Sequence, residues 1–301
     1  MPKWLFYCVI TVLIWGVWGI VTKKASEVGA LETQILFSIG LIPPALLALA
    51  SKDLRVGTNL KRGFWFGFLT GVFGGIGNIA FFAALNQGGN ASIVYPLTAI
   101  YPLVTVLLAW LWLKERLNGI QVAGIGIALV ALLLLSGNTD SLKALREGTI
   151  LSTWLGYALV TVLFWGVTGA TQKASSNYVA PAMSFLAYAA AFVPIAVVIL
   201  FTQRLNWSFP LDGWFWAILS GALMGFGTLI SFKAFCAGGK ASVVTSLLAL
   251  NPIVTVLLAV PLLKEKIVLQ QGIGIAVALA AGLALSFEKT PSPAHVETKS
   301  N

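Results

Sequence analysis

Continuous apolar runs of about twenty residues recur from Trp4 to Phe287, parted only by short polar, glycine or proline-marked gaps, and about twenty is the number a helix needs to cross a bilayer. Hydropathy, charge and Gly/Pro punctuation place ten such runs at 4–22, 33–50, 63–85, 91–113, 119–136, 154–172, 181–201, 213–236, 241–263 and 269–287. Strands of a membrane barrel would instead alternate apolar and polar over roughly ten residues. The expected fold is therefore an all-α polytopic membrane protein with ten transmembrane helices.

Composition agrees. Apolar residues make up 58% of the 301 positions and charged residues 10%, against roughly 25% charged in an ordinary soluble domain. The net charge of +9 does not announce nucleic acid, because the lysines and arginines sit mostly in the gaps, where they anchor helices and bias orientation. Cys8 and Cys236 lie inside apolar runs without CxxC spacing, and His295 lies in a polar tail. Metal centres, catalytic triads and cofactors are thus not expected. The first run lacks a small-residue cleavage site and leads into Thr22-Lys23-Lys24 and further spans, so it reads as a retained helix rather than a signal peptide.

A repeat at a constant offset of 150 organises the chain. Trp4, Leu5, Tyr7, Thr11, Trp15, Gly16, Gly19, Lys23 and Ser26 recur as Trp154, Leu155, Tyr157, Thr161, Trp165, Gly166, Gly169, Lys173 and Ser176. Gly88 to Glu115 matches Gly238 to Glu265 at 17 of 28 positions, far more than shared hydrophobicity gives, so both copies are expected to share one fold. The expected organisation is a five-helix repeat at 1–137, a polar connector at 138–152, a second five-helix repeat at 153–287 and a disordered cytoplasmic tail at 288–301. Five spans per copy is odd, so the second copy enters the membrane from the opposite side: an inverted-topology pair of the kind that supports alternating access. More Lys and Arg fall in the segments that a cytoplasmic N-terminus places inside, with Lys52, Arg55, Lys61 and Arg62 carrying most of the excess. Both termini are accordingly expected in the cytoplasm.

Pro102 and Pro252 stand mid-span and each removes a backbone hydrogen bond. The freed carbonyls, those of Thr98 and Leu248, need partners in lipid, so the breaks belong where they line a cavity or are buried in protein. Tyr95, Thr98, Tyr101, Thr245, Ser246 and Asn251 lie at nearly the same depth, which makes this region the candidate solute site. Trp15 and Trp165 lie about eleven residues into their helices, where an indole N–H requires a partner; Trp18 follows, opposite Thr168 in the other copy. Asn78 in span three and Thr228 in span eight occupy equivalent places after Gly71, Gly75, Gly77 and Gly221, Gly225, Gly227, whose small-residue spacing favours close helix packing. Lys233, with Ala83 as its counterpart, either faces a cavity or snorkels from the end of its helix. Lys23 and Lys173 are equivalent cations near helix C-termini, where the macrodipole favours them. Glu115 and Glu265 close the duplicated Leu-Lys-Glu and serve as gating or structural contacts to neighbouring loops. No carboxylate stands at midplane.

Trp15-Gly16 with Trp165-Gly166, and Gly88-Gly89-x-Ala91-Ser92 through Pro102 to Leu113-Lys114-Glu115, Gln121 and Gly124 with their second copy ending Leu263-Lys264-Glu265, Gln271 and Gly274, carry a resemblance. The chain resembles the EamA group of the drug/metabolite transporter superfamily. That resemblance implies ten helices with cytoplasmic termini, a cavity lined by spans one, three, four, six, eight and nine, and no cofactor or enzymatic centre. Members export or exchange amino acids, metabolites, drugs, sugars or nucleotide sugars, mostly at bacterial inner membranes. The expected function is therefore secondary transport, by export or exchange, of a small polar metabolite such as an amino acid or related organic solute. Lys233, Lys23 and Lys173 tilt the expectation toward anionic or zwitterionic solutes. A membrane scaffold or partner subunit without transport activity, and more remotely a membrane enzyme, are the alternatives. The expected partners are the solute and the bilayer, with a homodimer compatible with the apolar helix faces.

Overall fold

The computed structural model describes residues 1–25, 28–87, 91–135, 153–263 and 269–286. The connector at 138–152, the tail at 288–301 and Glu265 fall outside the described residues. Among the described residues the chain is all helix apart from one isolated antiparallel bridge between Gly57 and Val179. The helices are α1 Lys3–Ala25, α2 Ala30–Gly40, α3 Ile42–Leu49, α4 Leu60–Asn86, α5 Ala91–Thr98, α6 Pro102–Leu111 and α7 Gly119–Leu135. They continue as α8 Thr153–Ser176, α9 Pro181–Thr202, α10 Leu211–Cys236, α11 Ala241–Leu248, α12 Pro252–Leu263 and α13 Leu269–Ser286.

Among the described residues, six stretches are long and apolar enough to cross a membrane: Lys3–Ala25, Ala30–Leu49, Leu60–Asn86, Trp154–Ser176, Pro181–Thr202 and Leu211–Cys236. Shorter apolar helical segments at Pro102–Leu111, Gly119–Ala131, Ala241–Thr255 and Gly272–Ala281 accompany them. The outer surface is apolar too, with Phe201 and Leu211 each 86% exposed, which suits contact with lipid rather than water. Helix starts follow local chemistry. The Asn59 side chain accepts from the Arg62 N–H at 3.0 Å to cap α4. Prolines open α6, α9 and α12, where the missing N–H would have no intrahelical partner anyway.

Residues 150 apart make exchanged contacts. Val254 fills the space beside Gly16, and Val104 the space beside Gly166. The Thr255 hydroxyl donates to the Gly16 carbonyl at 2.9 Å, and the Thr105 hydroxyl to the Gly166 carbonyl at 2.8 Å. Thr11 bonds the Gly227 carbonyl as Thr161 bonds that of Gly77, and Trp15 packs on Gly227 as Trp165 packs on Gly77. This is a two-fold pattern: what the first copy gives the second, the second returns. The main helix contacts accordingly run between the copies, α1 with α10, α4 with α8 and α7 with α13.

The small residues of α4 and α10 are where backbones approach most closely. A Cβ on Gly221 would strike the Phe37 carbonyl, and one on Gly71 the Tyr188 carbonyl. Gln34 on α2 is completely buried, and among the described residues neither of its amide atoms is partnered. Gly221→Ala and Gly71→Ala should each cost about 1–3 kcal/mol, the range for overpacking a tight core, read as a lowered thermal midpoint in detergent. Gly126→Ala and Gly156→Ala, with open space around them, should leave it unchanged. Gln34→Met, which removes an unpaired donor and acceptor together, should hold or raise the midpoint.

Candidate functional site

The two proline positions do not kink continuous helices; they start new ones. Chain 99–101 separates α5 from α6, and chain 249–251 separates α11 from α12. The freed carbonyls of Thr98 and Leu248 find partners within the turn itself: Tyr101 N–H donates to Thr98 at 3.2 Å, Asn251 N–H to Leu248 at 3.2 Å, and the Asn251 side-chain amide also to Leu248 at 2.9 Å. The breaks are thus self-satisfied, and their side chains are available to face inward.

They face a cavity of about 660 Å³ of atom-free space, its mouth included. Trp15 and Trp18 of α1, Gly74 and Asn78 of α4, and Tyr101 at the first break supply its wall from the first copy. Trp165, Thr168, Gly169 and Gln172 of α8, Tyr188 of α9, Met224 and Thr228 of α10, Thr245 and Leu248 of α11, and Asn251 at the second break supply the rest. The Tyr101 hydroxyl donates to the Thr245 carbonyl at 3.4 Å and so ties one break to the other helix pair. Trp165 donates its indole N–H to Asn78 Oδ1 at 3.1 Å. Ring centroids of Trp18 and Trp165 lie 6.3 Å apart, and those of Tyr101 and Trp165 6.1 Å apart, both edge to face.

Of the residues marked from the sequence, Trp15, Trp18, Asn78, Tyr101, Trp165, Thr228, Thr245 and Asn251 line this cavity, and Tyr95, Thr98 and Lys233 do not. The Tyr95 hydroxyl turns to α1, bonding the Thr22 hydroxyl and the Gly19 carbonyl. Thr98 is buried and returns its hydroxyl to the Val94 carbonyl at 2.8 Å. Lys233 is exposed in the last turn of α10. Lys23 is exposed as well, and Lys173 donates to the Phe235 carbonyl at 3.3 Å near the end of α10, so that it ties two helix ends together. The tilt toward anionic or zwitterionic solutes drawn from these three lysines therefore has no counterpart in the wall, where no charged side chain stands among the described residues. Thr168, Gln172 and Tyr188 went unmarked. The first two stand three and seven residues after Trp165, on the same helix face, a spacing that signals them; Tyr188 carries no such signal.

Glu115 makes the most elaborate polar contact between the copies. Lys114 adopts a left-handed backbone, φ 53°, and the Glu115 N–H bonds back to the Ala109 carbonyl at 3.1 Å, a Schellman-like close to α6. That turn delivers the carboxylate to the start of α11. There it accepts from the Ala241 N–H at 2.7 Å, the Ser242 N–H at 3.2 Å and the Ser242 hydroxyl at 2.7 Å. An anion on the free N–H groups of a helix N-terminus is favoured twice, by hydrogen bonding and by the helix dipole. Lys240 reinforces the join by donating to the Arg116 carbonyl at 2.9 Å. The contact lies one helical turn from Thr245 in the cavity wall. No group of three or more His, Cys, Asp or Glu side chains that could hold a metal occurs among the described residues.

Residues 2–137 and again 152–287 match the EamA-like transporter family. The chain belongs to that family. As a member of the EamA-like transporters it is a multi-pass membrane protein and a secondary transporter, not an enzyme. The uncharacterized transporter YojE of Bacillus subtilis is 26% identical over 251 residues, 79% of this chain and 77% of that protein. An uncharacterized protein of Methanocaldococcus jannaschii is 32% identical over 128 residues, covering 91% of its own length but 42% of this chain. A crystal structure of a protein at 16% identity superposes with a TM-score of 0.72 over 95% of this chain and 96% of that one, a likeness of fold.

Glu115→Ala removes three hydrogen bonds from the start of α11. In a background lacking Cys8 and Cys236, a cysteine placed at Thr245 should then react several-fold faster with a membrane-impermeant maleimide, and the thermal midpoint should drop by a few degrees. Unchanged labelling would show that the carboxylate does not hold this end together.

Proposed function

We propose that this transporter exports or exchanges a small polar metabolite, such as an amino acid or a related organic solute, by alternating access between two five-helix repeats of inverted topology. The observation that carries the proposal is the placement of the cavity: it lies where the proline breaks of both copies meet, walled by sequence-equivalent helices from each. In this reading residues 1–137 and 153–287 are the two repeats, crossing the membrane ten times in total, with 138–152 joining them and 288–301 as a tail. An odd number of crossings per repeat makes them inverted, and the exchanged Gly16–Val254 and Gly166–Val104 contacts are the matching joints expected of such a pair. Each joint can then open as its partner closes, and the Glu115 contact holds one of them. The distribution of Lys and Arg supports cytoplasmic termini in an inner-membrane protein.

The alternative is a membrane scaffold or partner subunit without transport of its own. Solute counterflow in proteoliposomes separates the two. Saturable uptake of at least one member of a broad metabolite panel is expected, and Trp165→Ala or Asn251→Ala should lower it by about tenfold or more while leaving the protein folded. Absence of any flux across the panel, with reproducible capture of another membrane protein, would sink the transport reading in favour of the scaffold.

A further inference from the structure

Among the described residues, two in the cavity wall each carry a buried hydrogen-bond donor with no partner. The donors are the indole N–H of Trp18 and the side-chain amide nitrogen of Asn78, in residues 4% and 3% exposed. The Asn78 assignment is fixed by its neighbour. An indole nitrogen can only donate, so the group facing Trp165 Nε1 at 3.1 Å is the Asn78 oxygen, and the nitrogen is the atom left over. An unmet buried donor is costly. Of the residues with such orphaned side-chain atoms among the described part, Trp18 and Asn78 stand together on this wall, and the third, Gln34, lies outside it.

The positions equivalent to Trp18 and Asn78 in the other copy are Thr168 and Thr228, and both also line the cavity. Their hydroxyls are already engaged: Thr168 donates to the Phe164 carbonyl at 2.9 Å, and Thr228 shares a hydrogen bond with Tyr188. A hydroxyl that has given its proton away keeps its oxygen lone pairs. Residues with unmet donors thus stand on the wall of the first copy, and residues whose hydroxyls are already engaged stand at the equivalent places on the second. Among the described residues no charged side chain lines the cavity, and an ion of either sign would stand uncompensated there within the membrane.

Resting on the transport reading above, we infer that the solute carries no net charge and docks an acceptor oxygen between Trp18 and Asn78, with its donor group toward Thr168 and Thr228. The oxygen is a carboxylate of a zwitterion or the carbonyl of a neutral amide. Both present the same acceptor to the same two donors.

The test is a counterflow and thermal-shift panel in which each amino acid is accompanied by its primary carboxamide lacking the amino group, its des-amino carboxylate and its decarboxylated amine. The zwitterion or the neutral amide should move and bind, and the matched anion and cation should not; which of the first two wins tells the source of the oxygen. Trp18→Phe keeps an aromatic ring but removes the donor together with part of the indole's volume, and Asn78→Asp keeps the oxygen that Trp165 uses while replacing the N–H groups. Each should weaken the apparent affinity for the moved solute by about tenfold, with the melting temperature establishing that each variant is folded. Preferred movement of the anion or the amine overturns the inference, as do unchanged affinities in both variants while Trp165→Ala still abolishes flux, an outcome that leaves the transport reading standing. Binding without flux sinks the transport reading instead, and the binding preferences and variants then decide this one. A panel in which nothing binds or moves overturns both.

Discussion

A backbone in hydrocarbon has no water to bond, so every peptide group must be met within the protein, and the rest of this structure is arranged around the two places where the helical ladder is interrupted. At 99–101 and 249–251 the short turns use their own N–H groups to meet the carbonyls of Thr98 and Leu248. The interruptions therefore need no outside partner and release Tyr101 and Asn251 to the cavity. An unbroken helix at this depth would present a closed cylinder. The break turns it into a pair of helix ends with side chains between them.

Around these breaks the two copies lend each other what neither has alone. Each provides a helix with a glycine against which the other's Val104 or Val254 rests, and each provides a threonine that bonds the other's backbone. The two-fold relation governs packing and then stops at the cavity wall, where Trp18 and Asn78 face Thr168 and Thr228. Packing tolerates little change at these close approaches, whereas the wall is where the copies have diverged. Symmetry belongs to the joints, and chemistry to the differences.

The helices were legible because continuous apolarity leaves a chain few options in lipid, and the prolines mark the level of the two breaks beside the cavity. The sequence did not disclose azimuth. Tyr95, Thr98 and Tyr101 share nearly one depth, yet only Tyr101 reaches the cavity, while Tyr95 turns to Thr22 and Gly19. A buried ammonium is expensive, and the structure places Lys233 exposed in the last turn of α10, away from the cavity. Thr168 and Gln172 follow from helical spacing after Trp165, whereas Tyr188 reaches the wall from a helix whose sequence does not mark it. The fully buried amide of Gln34 is equally silent in the sequence.

The exchanged joints also set a schedule for synthesis. The hydroxyl of Thr255 bonds the carbonyl of Gly16 across 239 positions of chain, and that of Thr11 bonds the carbonyl of Gly227 across 216. At roughly 5–20 residues per second the ribosome needs on the order of tens of seconds to make that length. Through that interval the first helix sits in the bilayer with Thr11 and Trp15 lacking the second-copy neighbours that will cover them. The nascent first half is therefore an orphan awaiting its complement, and an insertase or a chaperoning membrane protein that shelters this one polar, aromatic stripe would guard the step at which assembly is most easily lost.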